Sequence, residues 1–162
     1  MPIFSLQEVT ELQIQNINDG NFRSWPESAT YGYYAGGHGN PDPPPGYSTI
    51  TKLDFSNETL SNPGNDLPSI RTDSMAGVPN NSYGYFAGGG DDATFFSSRI
   101  TKFDFSNESV SDLVNNLPSG KRFLAGTSSD SHGYFAGGTG PSSTITKFDF
   151  SNESVSDLVN NL

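Results

Sequence analysis

Any chemistry in this chain must be assembled from a short list of residues. It has two histidines, His38 and His132, and no cysteine. Thiolate zinc sites, disulfide scaffolds and cysteine nucleophiles are therefore excluded. Two histidines at unlike positions do not make a multi-histidine metal centre within one chain. The acids recur in a run: Asp54-Phe-Ser-Asn-Glu58, Asp104-Phe-Ser-Asn-Glu108 and Asp149-Phe-Ser-Asn-Glu153. Such a run sets oxygen ligands close together, as calcium would want, but calcium also needs six or more oxygens on a shaped loop. The simpler reading is an Asx turn that closes a hairpin. Lys52, Lys102 and Lys147 lie on the strand face of Asp54, Asp104 and Asp149. They read either as a repeated site for an acidic partner or as solvated same-face pairs. Arg71 and Arg122 read as structural partners between units. Serine is abundant, yet no Gly-x-Ser-x-Gly elbow, assignable Ser/His/Asp set or Gly-Lys-Ser/Thr loop stands out. The expectation is a non-enzyme with no catalytic residue, metal or cofactor.

Stepping up from single residues, composition limits what can position them. The chain has 162 residues and a net charge of −10, with 8 basic against 18 acidic side chains. Nucleic acid and anionic membrane surfaces, which need a basic stripe, are disfavoured as partners. No stretch approaches 18 consecutive apolar residues, so membrane insertion is not expected. Glu8 and Glu11 with no early Lys or Arg do not make a standard secretory signal, and a soluble protein is expected. Apolar residues make up 32% but aromatics reach 12%, with 18 Gly and 11 Pro. That balance favours short aromatic strands joined by turns over long helices. Asn57, Asn80, Asn107 and Asn152 each open an Asn-x-Ser/Thr pattern, which would matter only in a secreted eukaryotic protein.

The chain repeats itself. Tyr31-Gly-Tyr-Tyr-Ala-Gly-Gly37 returns as Tyr83–Gly89 and, led by a histidine, as His132–Gly138. Ile50-Thr-Lys-Leu-Asp-Phe-Ser-Asn-Glu-Thr59 returns at Ile100–Ser109 and Ile145–Ser154, and residues 100–117 and 145–162 are identical at 18 positions. A period near 50 belongs to propeller blades, each one small antiparallel sheet. The first block reads as an aromatic strand ended by its diglycine, where positive φ or close backbone approach is allowed. The second reads as a half-buried strand, with Thr101, Phe103 and Phe105 on one face and Ile100, Lys102 and Asp104 on the other. Residues 110–114 supply a fourth, outer strand, and Arg122-Phe-Leu-Ala-Gly126 supplies another strand ahead of the next aromatic one. The predicted fold is all-β, with about three four-stranded units spanning 29–66, 67–116 and 117–162. Such units bury their Phe and Tyr faces only by stacking.

The units differ most after the diglycine, in inserts at 38–48, 90–98 and 139–143. Loops on a rigid scaffold commonly carry recognition. His38, Asp42 and Tyr47 in the first insert, and Asp91, Asp92, Phe95 and Phe96 in the second, set aromatic faces beside acids. That suits a sugar or protein surface. The plainer alternative is tolerated length variation. Residues 1–28 stand outside the repeat as an N-terminal arm. Ser5-Leu-Gln-Glu8 fits a capping box ahead of a short helix with Leu6, Val9 and Leu12, while Leu12 and Ile14 fit a strand equally well. The arm reads as an attachment segment or as a leading strand packed on the first unit.

These residues carry a family resemblance. An Arg-containing strand, an aromatic strand ending in a diglycine, then an aromatic-Asp-aromatic strand resembles the kelch repeat. It is clearest in Tyr85-Phe-Ala-Gly88-Gly89 followed by Phe103-Asp104-Phe105, with Gly36, Gly37, Gly137, Gly138, Phe148, Asp149 and Phe150 as copies. The resemblance covers about 29–162. The Trp that usually follows the Asp in kelch units is replaced by Val110 or its neighbours. The wording Gly-Tyr-Phe-Ala-Gly-Gly with Lys-Phe-Asp-Phe-Ser-Asn-Glu is most similar to kelch-like proteins encoded by marine cyanobacterial phages. It implies a virion structural protein, as a fibre, spike or tail appendage, whose arm meets other virion proteins and whose loops touch a host glycan or protein. The alternative is a soluble propeller that binds protein or glycan. Closed propellers carry roughly 4–8 blades. Three units therefore imply a homo-oligomer, two chains making six, or a longer repeat chain, both favoured over an open array because open ends leave faces and edges unpaired.

Overall fold

The computed structural model describes residues 30–37, 46–72, 75–90, 96–139 and 142–159. The expected arm at 1–28 lies outside them. Eleven strands are described, and no helix occurs among the described residues. None of these residues forms a helix long and apolar enough to cross a membrane.

Three antiparallel sheets follow one another along the chain. The first holds β1 (Tyr31–Ala35), β2 (Ile50–Asp54) and β3 (Thr59–Ser61) in that order. The second holds β4 (Ala76–Pro79), β5 (Tyr83–Ala87), β6 (Ile100–Asp104) and β7 (Val110–Asp112). The third holds β8 (Leu124–Ser128), β9 (His132–Gly137), β10 (Ile145–Asp149) and β11 (Val155–Asp157). Each is a meander of neighbours, the blade-like arrangement expected from the repeat. Four strands were expected in every unit. The first sheet shows three, and the place for a fourth, ahead of β1, falls outside the described residues.

Local chemistry explains each hairpin. The register is common to all units: Tyr33 faces Lys52, Tyr85 faces Lys102 and Tyr134 faces Lys147. The Asp of each run closes the turn that follows. Asp104 Oδ1 accepts from the Ser106 amide at 2.8 Å and the Ser106 hydroxyl at 2.6 Å, and the Glu108 amide donates to Asp104 O at 2.8 Å. Asp54 and Asp149 repeat these bonds. Oδ1 of each Asp therefore closes an Asx turn. The diglycine has a steric reason at Gly88: its φ is +75°, and an added Cβ would stand 2.6 Å from Lys121 O.

The strand into the third unit starts later than its sequence implies. Phe123 has a φ of 58°, incompatible with a strand, so β8 begins at Leu124 and not at Arg122.

Two faces alternate through the stack. On one face of each sheet lie the Tyr–Lys pair and the Ile of the second repeat block; on the other lie the Thr and the Phe or Leu. The first face of one sheet packs on the second face of the next. Ile50 and Tyr33 meet Phe103, Phe105 and Phe86, while Ile100, Tyr85 and Val78 meet Phe135 and Phe148. Ring contacts mark both junctions. Tyr33 lies 4.6 Å from Phe103 and stacks on Phe105 at 5.5 Å; Tyr85 lies 4.7 Å from Phe148 and stacks on Phe150 at 5.5 Å. Strand β6 was expected to be half-buried. It is covered on both sides, since Ile100 and Phe103 are both fully buried and point opposite ways. Burying each such side chain contributes roughly 1.5–3 kcal/mol. Phe105 and Phe150 remain half-buried at the sheet ends.

Candidate functional site

The polar residues of the repeat come together at the junctions between sheets. The turn Glu of each later unit reaches back across the junction. Lys52 Nζ lies 2.6 Å from Glu108 Oε1, and the Tyr33 hydroxyl donates to the same oxygen at 3.2 Å. One unit on, Lys102 Nζ lies 2.6 Å from Glu153 Oε1, with the Tyr85 hydroxyl at 3.5 Å. Asn65 and Asn115 add a bond each, to the carbonyls of Glu108 and Glu153. Each Lys also lies over a Tyr ring, Lys52 3.9 Å from the Tyr31 centroid and Lys102 3.8 Å from Tyr83. This corrects the same-face reading. Lys52 and Lys102 bond to the Glu of the next sheet, because the Asp on their own face is held by its serine. Sequence reasoning gave these glutamates no role of their own. The recurrence of Glu58, Glu108 and Glu153 three residues after the aromatic of the Phe-Asp-Phe block was the available signal.

The clasp shapes the titration of its members. Hydrogen bonding to Glu108 holds the Lys52 ammonium above its usual range. Burial raises the Tyr33 and Tyr85 phenols. Asp54, Asp104 and Asp149 sit below the ordinary carboxylate value because their serines donate to the ionised form.

Both clasp glutamates sit on strained backbone, and Glu58 shares it. Glu58, Glu108 and Glu153 have φ of 58°, 57° and 56°. A non-glycine residue there costs about 1–2 kcal/mol. Strain of this kind persists where the surroundings fix it, and at Glu108 and Glu153 the carboxylate is anchored in the junction.

Arg71 forms a second link between units through its backbone, whose amide donates to Tyr47 O at 3.1 Å and whose carbonyl accepts from Gly37 N at 3.0 Å. It is 1% exposed, and its guanidinium donates to Gly88 O and Ser97 Oγ, each at 2.8 Å, with Thr101 Oγ1 at 3.4 Å. The Arg122 guanidinium lies 5.1 Å from the rings of both Phe96 and Phe123.

Of the predicted binding-loop residues, His38, Asp42, Asp91, Asp92 and Phe95 lie outside the described residues. Tyr47 and Phe96 are described, at equivalent corners of successive units. Tyr47 is 44% exposed and Phe96 45%. The Tyr47 backbone is structural: its amide donates to Gly37 O and its carbonyl accepts from Arg71 N, both at 3.1 Å.

A groove of about 720 Å³ opens between β1 and the β4–β5 hairpin, lined by Tyr31, Tyr33, Pro79, Asn80, Phe86 and Phe105, among others. Its aromatic edges and amides suit a flat or extended ligand. One Ser–His–Asp contact, which the sequence did not reveal, forms at the third unit. Ser131 Oγ lies 2.7 Å from His132 Nδ1, and His132 Nε2 lies 3.5 Å from Asp149 Oδ2. The surrounding N–H groups serve the hairpin: the His132 amide donates to Ser129 Oγ and the Ser129 amide to His132 O. The Ser131–His132 contact thus lies within the hairpin turn that joins β8 to β9. Among the described residues, no group of three or more His, Asp or Glu is placed to hold a metal ion.

No family model and no curated protein matches the chain. Among solved structures it is similar to one described as "Structure of YjhT", with a TM-score of 0.67, 13% identity, and coverage of 81% of this chain and 49% of that one. The chain thus spans about half the length of that structure. At this identity the likeness speaks to fold alone. Fold and geometry together define an all-β protein of stacked, blade-like antiparallel sheets.

Proposed function

We propose that the chain is a non-enzymatic scaffold of kelch-like propeller blades, working as a structural component of a phage particle such as a fibre, spike or tail appendage. The supporting observation is where the repeated polar groups point. Lys52, Lys102, Glu108 and Glu153 hold sheet to sheet, and the buried Arg71 guanidinium is engaged by Gly88 and Ser97. A repeat whose recurring chemistry is mechanical suits a part that must stay rigid. The wording of the repeat, which resembles that of kelch-like cyanobacterial phage proteins, supports the virion. In this reading the arm at 1–28 attaches the scaffold to a neighbouring virion protein. Mass spectrometry of purified particles tests it. The chain is expected at a fixed ratio to the capsid protein; its presence only in the unassembled soluble fraction would overturn the reading.

The aromatic groove beside β1 favours a second reading, a soluble propeller that binds glycan or protein. Binding on a glycan array, abolished by Phe86→Ala, would select it over the first.

A further inference from the structure

The two ends of the stack carry the two halves of a junction already formed twice inside it. At the third sheet, Tyr134 and Lys147 occupy the places of Tyr33–Lys52 and Tyr85–Lys102. Both internal lysines pair with a turn Glu of the following sheet at 2.6 Å. Among the described residues, Lys147 has no such carboxylate. At the first sheet, Glu58 has the left-handed backbone of Glu108 and Glu153, with φ of 58°. Among the described residues its carboxylate meets no cation.

The apolar parts match in the same way. Ile50 and Ile100 are fully buried, but Ile145 is only half-buried. Phe103 and Phe148 are fully buried, yet on the corresponding face of the first sheet Tyr34 is 60%, Phe55 50% and Leu60 66% exposed. Gly36 and Gly88 would each clash with backbone of the next unit if given a Cβ, at Arg71 O and Lys121 O, whereas a Cβ on Gly137 would meet nothing among the described residues.

We propose that a second copy of this chain docks head to tail, its first sheet on the third sheet of its neighbour. Lys147 and Tyr134 of one copy clasp Glu58 of the other, while Phe55 takes the place that Phe105 and Phe150 hold at the internal junctions. The complementarity is of charge, a lysine and a glutamate that each lack, among the described residues, the cross-sheet partner their copies have, and of shape, since both surfaces repeat pairs that already fit. Glu58 then reaches across from the same left-handed backbone as its two copies. The pairing rests on repeat geometry and holds whether or not the protein belongs to a virion.

Charge-swapped chains test it by analytical ultracentrifugation across a concentration series. Wild type is expected to self-associate in the micromolar range. E58K and K147E alone are each expected to associate about tenfold or more weakly. Lysine at position 58 is as strained as glutamate, so the turn persists, and circular dichroism checks the fold of each variant. Mixing the two variants restores the native junction, between the intact Lys147 of one and the intact Glu58 of the other, and leaves the substituted positions 58 and 147 facing each other with their charges reversed but still opposite. The mixture is expected to associate at concentrations where neither variant does so alone. Three results would each overturn the proposal: a wild type monomeric at every concentration, which would assign the exposed face to another part of its own chain; single variants that associate as tightly as wild type; or a mixture that stays monomeric.

Discussion

At the scale of the residue, two acids of one short run do opposite work. Asp104 turns inward on its own hairpin and Glu108 reaches outward to another sheet. The Glu carries the backbone cost, with φ of 57°. Glu108→Ala removes the clasp and keeps the strain, whereas Glu108→Gly removes both. Urea unfolding is expected to rank wild type above Glu108→Gly, and Glu108→Gly above Glu108→Ala, the last two separated by about 1 kcal/mol. An alanine variant as stable as the glycine one would show that the turn is unstrained. The aspartates set the acid limit. Their folded-state values lie below the usual 3.8, so the stability they contribute is present above that value and is lost as pH falls through the lowered one. Melting temperature is expected to hold from neutral pH to the ordinary carboxylate range and then to drop. The triple variant D54N/D104N/D149N, neutral throughout, is expected to flatten that drop.

At the scale of the element, much was legible because strand and turn are local events. The alternation in Ile100-Thr-Lys-Phe-Asp104 assigned its faces correctly, and β6 forms over those residues. What the alternation could not show is that both faces are covered, because burial depends on neighbours about 50 residues away. The late start of β8 was hidden for a related reason: Phe123 adopts its φ of 58° within a corner where Arg122 lies over Phe96 and Phe123, a tertiary arrangement. The partner of each lysine was misread because sequence places Lys102 beside Asp104, while only the stacked sheets bring Glu153 within 2.6 Å. The diglycines divide the same way. Positive φ is local, but close approach belongs to the stack. Gly88→Ala faces both, with Lys121 O 2.6 Å from the new Cβ, and Gly137→Ala faces only its φ of +76°. Thermal unfolding is expected to show the larger loss for Gly88→Ala, about 2 kcal/mol or more against about 1. Equal losses would mean that the carbonyl moves aside freely.

At the scale of the whole molecule, the array makes identical sequences unequal. Residues 100–117 and 145–162 are the same letters. Strands β6 and β10 have the same bounds within them and pair alike. Propensity and turn chemistry therefore cannot distinguish the copies; only the next sheet can. Ile100 is fully buried against the third sheet, and Ile145, on the far face of that sheet, is half-buried. Removing a fully buried isoleucine side chain costs about 2–5 kcal/mol, transfer and cavity together, and a half-exposed one costs less because water already reaches it. Ile100→Ala is thus expected to destabilise the dilute protein by at least twice as much as Ile145→Ala, read from urea midpoints. As concentration rises, the second cost is expected to grow toward the first, because a docked copy covers Ile145 as the third sheet covers Ile100. Two variants with equal losses at every dilution would show that each repeat carries its stability within itself, and the stack would then be a consequence of folding and not its cause.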